Sequence, residues 1–199
     1  MSRPLVFLWL SLLDLAWLPA QQPDLLQNFD TYCQALTEQR WDQSLDFLHP
    51  VVFEQMARTD LLREMEALNA DSSTEVFLQG FRLRQAPLAM TEGTQRIALV
   101  AYEYDLVMDL LGDAEEAAST ASFMASYYEG EDFGYDEARQ RITVRMRKRL
   151  FAFLQPGWTT WRFLEDAPEA QDLLARLVPD RIRSELEMGL RLEAPDEDP

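Results

Sequence analysis

The sequence predicts an α+β fold in which N-terminal helices pack on a curved antiparallel sheet. One helix is inserted between strands, and further helices follow at the C-terminus. Two segments, residues 97–109 and 142–154, alternate apolar and polar side chains with the period of two expected for long half-buried strands. Segments before and after them instead repeat apolar residues at the three- and four-residue spacing of helices. Helices that come first and last around a strand-rich middle indicate an α+β fold.

Charged side chains predict that the two long strands are neighbours. The first carries an acidic row that includes Glu103 and Asp105, and the second carries a basic row of alternate arginines. Opposite charges across an antiparallel pair favour one another. The register that follows has three pairs: Glu103 with Arg149, Asp105 with Arg147 and Asp109 with Thr143. It places Ile97 and Leu99 beyond the aromatic end of the second strand, near Phe151 and Phe153.

The remaining elements follow from local patterns, in chain order. Asp24 and Thr59 are candidate N-caps of the first and fourth helices, and His49-Pro50 ends the second helix. The predicted helices cover residues 25–40, 41–49, 51–57, 59–68, 112–129, 168–177 and 179–190. The predicted strands cover residues 75–86, 95–109, 139–154 and 158–164. In the first of them Phe77, Phe81 and Leu83 are predicted to share one face. Residues 130–137 are predicted to form an acidic loop.

The two ends of the chain differ in composition from its middle. Arg3, an apolar run over residues 4–18 and Ala20 have the layout of a secretory signal peptide over residues 1–20. This predicts a secreted or periplasmic bacterial protein; the alternative is an amphipathic helix packed on the domain. Residues 21–190 are predicted to form a single domain, and the acidic tail 191–199 is predicted to be disordered.

Composition restricts the classes of partner. The 199-residue chain carries a net charge of −17, which disfavours nucleic acid and anionic membrane surfaces. The N-terminal apolar run is too short for a stable membrane anchor. Cys33 is the only cysteine, so neither an internal disulfide nor a cysteine-rich metal cluster is expected. We expect no metal ion and no cofactor.

Candidate catalytic groups are few. His49 is the only histidine, which removes histidine-based triads and multi-histidine metal sites, and its position before proline favours a structural role. The carboxylates of Glu103 and Asp105 alternate with Tyr102 and Tyr104, so acids and tyrosines should lie on opposite faces of the sheet. No catalytic residue is therefore assigned.

Three stretches carry a resemblance to a known superfamily. They are Gln39-Arg40-Trp41-Asp42-Gln43-Ser44-Leu45-Asp46-Phe47-Leu48-His49-Pro50, Ile97-Ala98-Leu99-Val100-Ala101-Tyr102 and Trp161-Arg162-Phe163-Leu164-Glu165. Together with Tyr135-Asp136 ahead of the basic strand, they resemble the nuclear transport factor two-like (cystatin-like) superfamily, most closely its uncharacterised secreted bacterial members. The resemblance implies a cone-shaped fold with a pocket between sheet and helices, and it implies no particular reaction.

Aromatic residues on the helices and strands are the candidate lining of such a pocket: Trp41, Phe53, Phe77, Tyr102, Tyr104 and Trp161. Plain core packing is the alternative explanation of this set. We expect a secreted non-enzymatic module that binds a small apolar ligand or a protein partner. Two alternatives stay open, an isomerase- or dehydratase-like enzyme that uses a pocket carboxylate, and a structural module that forms a homodimer through its sheet.

Overall fold

A computed structural model describes residues 24–68, 73–85 and 87–193. The predicted signal peptide and residues 194–199 of the predicted tail lie outside this part of the chain. The described residues form the expected α+β fold, with helices at both ends and a curved, six-stranded antiparallel sheet between them. No helix among them is long and apolar enough to cross a membrane.

The helices and strands follow one another along the chain in three groups. Four helices come first: α1 Leu25–Thr37, α2 Trp41–Leu45, α3 Val52–Gln55 and α4 Arg58–Ala67. The sheet region is next: β1 Thr74–Leu83, β2 Leu88–Glu92, β3 Gln95–Leu110, α5 Ala114–Tyr127, β4 Asp132–Asp136, β5 Arg141–Leu154 and β6 Arg162–Glu165. A 3-10 turn Pro168–Ala170 then leads to α6 Gln171–Leu177 and α7 Asp180–Glu193.

Two helix starts test the predicted caps. Asp24 caps α1 as expected, since its Oδ1 accepts a hydrogen bond of 2.8 Å from the backbone N–H of Leu26. The prediction for Thr59 is wrong, because α4 begins at Arg58 with Ala57 in the cap position. Arg58 is held there by its side chain, whose Nη2 donates to the Asp42 and Asp46 carboxylates at 2.7 and 2.9 Å.

The two long strands, β3 and β5, form the centre of the sheet and pair antiparallel along their length. The outer edge of β3 is shared end to end by β1 and β2, and the outer edge of β5 is shared by β4 and β6. The segment between β3 and β5 leaves the paired strands as α5, which packs on the sheet, and returns to the sheet as β4. Most of the predicted acidic loop is the short strand β4, which sequence alternation alone does not identify.

The predicted strand register is wrong by two residues. The observed pairs are Glu103 with Arg147, Asp105 with Arg145 and Asp109 with Arg141. A slide of two residues leaves every side chain on the same face, so the acidic and basic rows still lie together. It also gives Asp109 an arginine in place of a threonine: Arg141 donates two hydrogen bonds, of 2.6 and 2.7 Å, to the carboxylate. Ile97 and Leu99 lie opposite Phe153 and Phe151, as expected.

A bulge in β1 corrects a second expectation. The pairing of β1 with β3 shifts by one residue between Gln79 and Arg82, around Gly80 in the left-handed region at φ +66°. Phe77 is consequently paired with Val107, whereas Phe81 stacks on Tyr104 on the other face. The prediction that Phe77 shares a face with Phe81 and Leu83 is therefore wrong.

Helices pack against both faces of the sheet. The tyrosine face bears Tyr102, Tyr104 and the other even-numbered residues of β3, and α1 and α5 pack on it. The arginine face bears the odd-numbered residues of β3, and α6 and α7 cover its apolar end at Leu99 and Phe151. The charged half of the arginine face lies beyond α7.

Candidate functional site

A cleft of about 340 Å³ opens beside β6, at an edge of the sheet. Tyr102, Leu150 and Phe163 in its lining belong to the core cluster of the tyrosine face, whereas Leu164 and Leu173 belong to that of the arginine face. Its walls come from α1, the α3–α4 region, the sheet and the segment that leads into α6. The lining is mainly apolar: Leu48, Val52, Leu61, Met65, Leu150, Phe163, Leu164, Ala167, Ala170 and Leu173. The polar lining side chains are Tyr32, Gln55, Tyr102, Glu165 and Glu169. Apolar walls with a few polar groups are typical of small-molecule sites.

Local sequence explains how the walls are placed. Tyr32 lies on the apolar side of α1 and packs on Phe163, with ring centroids 5.2 Å apart. The loop before α3 is joined to β6 by two backbone hydrogen bonds, His49 N–H to the Phe163 carbonyl at 2.8 Å and Phe163 N–H to the Phe47 carbonyl at 2.6 Å. Helix α4, which supplies Leu61 and Met65, has no fully buried residue, so its apolar side faces the cleft.

Two tyrosine hydroxyls are among the hydrogen-bond donors that line the cleft. Neither Tyr32 nor Tyr102 makes a side-chain hydrogen bond within the described residues. Burial, assisted by the charge of Glu165 and the neighbouring tyrosine, raises the pKa of both groups above the ordinary value. Both hydroxyls therefore remain protonated donors over the whole physiological range of pH.

The acid in the cleft is Glu165, and its arrangement differs from a catalytic dyad. Its carboxylate pairs with the Lys148 ammonium at 3.1 Å and is about half exposed. No carboxylate in the described part of the chain accepts a hydrogen bond from a tyrosine of the cleft. A group of three or more histidine, cysteine, aspartate or glutamate side chains suited to a metal ion is also not found among the described residues.

The structure places the predicted pocket residues at different sites. Tyr102 lines the cleft. Tyr104 stacks on the ring of Tyr102, with ring centroids 6.1 Å apart. Trp161 is fully buried in the core cluster that contains Tyr102. Trp41 is buried in α2, and Phe53 is half-buried in α3, beside the lining residue Val52. Phe77 lies on the arginine face of the sheet and is not among the residues that line the cleft.

Sequence reasoning missed most of the lining residues. Tyr32 and Met65 fall within the predicted helices 25–40 and 59–68, but no local pattern marks either residue as part of a pocket. In α4 few residues are apolar, and this is the one sequence feature that indicates a helix that is not packed into the core. Glu165 and Leu173 have no such signal, because their proximity depends on how β6 and α6 pack.

His49 has the structural role that the sequence indicates. Its ring lies edge-on to Phe153 and Trp158, with centroids 4.9 and 5.5 Å away, and its Nδ1 accepts a 3.2 Å hydrogen bond from the Val51 N–H. Burial lowers the pKa of His49 to about 4, with Glu54 opposing the shift. The imidazole is therefore neutral at physiological pH.

No protein family, no curated protein and no solved structure matches the chain. The resemblance to the nuclear transport factor two-like superfamily therefore stays a prediction, and the function has to be argued from the cleft.

Proposed function

We propose that this protein is an exported, non-enzymatic module that binds a small apolar ligand in the cleft beside β6. The observation that carries the proposal is an open cavity with an apolar lining and two protonated tyrosine hydroxyls that have no partner among the described residues. At about 340 Å³ the cavity lies at the lower end of the range for ligand pockets, which favours a compact molecule.

The hydroxyls define what the ligand should carry. Tyr32 and Tyr102 are donors without acceptors in the described part of the chain, and a hydrogen bond to a ligand would contribute about 0.5–1.5 kcal/mol net. A ligand with one carbonyl, ether or hydroxyl oxygen on an apolar body fits this arrangement. The net charge of −17 and the carboxylates of Glu165 and Glu169 at the cleft disfavour an anionic ligand.

Binding of phenylnaphthylamine, a neutral fluorophore that brightens in apolar sites, tests the proposal. The unmodified protein should enhance its fluorescence in a saturable manner. Leu61→Trp adds bulk to the cleft and should weaken binding at least about tenfold, or about 1.4 kcal/mol. Leu68→Trp makes the same chemical change at an exposed position outside the cleft, and should bind within about twofold of the unmodified protein.

Far-UV circular dichroism and urea unfolding would establish that both variants are folded. Absence of saturable enhancement in the unmodified protein would refute the proposal. Equal binding by the two tryptophan variants would show that the dye occupies another surface.

Export forms the second part of the proposal and rests on residues 1–20 alone. Expression of the full chain in a bacterial host should yield a periplasmic protein whose N-terminus, measured by intact-mass spectrometry, lies near Gln21. Recovery of cytoplasmic protein that retains the first 20 residues would refute this part and leave ligand binding to be judged by the dye experiment.

A further inference from the structure

A second cavity, of about 350 Å³, lies on the arginine face, where α7 ends against the sheet. Its polar lining residues are Arg84, Gln85, Arg147, Lys148, Arg149 and Glu187, and Ala101 and Leu190 complete the lining. Lys148 is paired with Glu165 at 3.1 Å. Its lining shares no residue with the lining of the proposed ligand cleft. The two cavities can therefore be tested independently.

The alternation of β5 and the bulge of β1 bring the cations together. Arg147 and Arg149 are two residues apart on β5 and so share a face, and Arg149 lies opposite Ala101 of β3. Arg84 follows the end of β1, and its N–H donates to the Ala101 carbonyl at 3.0 Å. Three guanidinium-bearing residues thus surround a position where the methyl group of Ala101 leaves space.

Arg147 is a lining residue of this cavity whose guanidinium group forms no ion pair with a carboxylate of the described residues. Its strand partner is Glu103, but the Glu103 carboxylate pairs instead with Arg82, at 3.1 Å. Within the described residues Arg147 forms no ion pair. Arg149 reaches Asp166 at 2.6 Å, so its charge is partly balanced while Arg147 retains its full charge at the cavity.

Gln85 adds an unused donor to the same cavity. Its Nε2 is buried and has no hydrogen-bond partner in the part of the chain that the structure describes. A buried polar group without a partner costs about 1–3 kcal/mol, and a ligand oxygen would remove that cost. Glu187 is the one carboxylate among the described lining residues, and it accepts a hydrogen bond of 3.2 Å from Arg183, which partly neutralises it.

We propose that this cavity binds a small molecule through an oxyanion group, a phosphate or a carboxylate. Guanidinium groups recognise such oxygens with paired hydrogen bonds, and Arg147 and Gln85 both have donors to spare. The site is a local concentration of positive charge in a chain of net charge −17, where average electrostatics disfavours anions. Leu190 of α7 supplies an apolar wall for the rest of the ligand.

Isothermal titration calorimetry with inorganic phosphate and, separately, with citrate tests the proposal, with ionic strength held constant by sodium chloride. We expect saturable binding of at least one of them to the full chain. Arg147→Gln should weaken that binding at least about tenfold, because a charge-assisted hydrogen bond is lost. Arg139→Gln removes the same charge at a position that is 74% exposed and outside the cavity, and should change the affinity less than about twofold.

The titrations with phosphate and with citrate distinguish the possible ligand groups. Binding of phosphate alone identifies a phosphate-bearing ligand, binding of citrate alone a carboxylate, and binding of both a general oxyanion site. Gln85→Leu, which leaves the net charge unchanged, should also weaken binding and serves as the second variant if Arg147→Gln unfolds. Absence of binding by both anions, or equal losses in Arg147→Gln and Arg139→Gln, would overturn the proposal.

Discussion

Asp166 connects the C-terminal helices α6 and α7 to the sheet through its side-chain contacts. Its side chain is 1% exposed and contacts three other elements: Arg183 of α7 at 3.1 Å, Arg149 of β5 at 2.6 Å, and Gln171 of α6, whose Nε2 donates at 3.0 Å. The Arg149 contact involves Oδ2, which lacks a well-aligned hydrogen bond, so the contact is an ion pair. We predict that Asp166→Ala destabilises the fold.

The magnitude follows from the burial of each partner. Removal of one partner from a fully buried ion pair costs about 3–5 kcal/mol, since the remaining charge is left uncompensated. Arg149 is 45% exposed and Arg183 is 27% exposed, so both regain some water contact. We therefore expect the free energy of unfolding to fall by about 2–3 kcal/mol, and the melting temperature to fall by about 5–10 °C.

Urea unfolding followed by circular dichroism would measure this change. Asp132→Ala is the matched control, because Asp132 is 65% exposed and lies 3.5 Å from Arg145 in an ion pair at the surface. The control should lose no more than about 0.5 kcal/mol. If Asp166→Ala is also within about 0.5 kcal/mol of the unmodified protein, the reasoning about its buried charge is refuted.

Three further predictions concern the imidazole, the strand register and the bulge. The pKa of His49 is 6.5 in the unfolded chain and about 4 in the folded one. Folding stability that is present above pH 6.5 should therefore be lost as the pH falls toward 4, by up to about 3 kcal/mol. The His49→Asn variant should lose less stability over the same pH range. Asp105→Arg should destabilise the sheet; adding Arg145→Asp should restore more stability than adding Arg147→Asp, because Asp105 pairs with Arg145. Gly80→Ala should cost about 1–2 kcal/mol, since a methyl group there is strained at φ +66° and lies 3.1 Å from the Asp105 carboxylate.

Each of these has an outcome that contradicts it. Parallel stability–pH curves for the unmodified protein and His49→Asn would show that the imidazole does not titrate as described. Better rescue by Arg147→Asp would support the register two residues away. Gly93 also has a positive φ, of +61°, but has nothing within 4 Å of an added methyl group, so Gly93→Ala measures backbone strain alone. A cost at Gly80 no larger than at Gly93 would refute the steric argument.

The candidate site is less predictable than the fold, for a reason visible in its residues. Tyr102 is expected in a pocket because alternation shows which face of β3 it occupies. Leu61, Glu165 and Leu173 line the same cleft but come from separate elements, and no local pattern records which elements meet. Phe77 is predicted to line the pocket and to share a face with Phe81, but a single extra residue at Gly80 puts Phe81 on the opposite face.

By itself, the sequence determined the properties that consecutive residues encode: the long strands, the face that each side chain of β3 and β5 occupies, and the pairing of an acidic row with a basic row. Only the tertiary structure decided which arginine meets which carboxylate. A shift of the register by two residues keeps every side chain on its face, and each cross-strand pair contributes only about 0.2–1 kcal/mol, so the two charged rows do not select one register by themselves. In that arrangement Arg82 of β1 pairs with the Glu103 carboxylate, and Arg147 of β5 lines a cavity without an ion pair among the described residues.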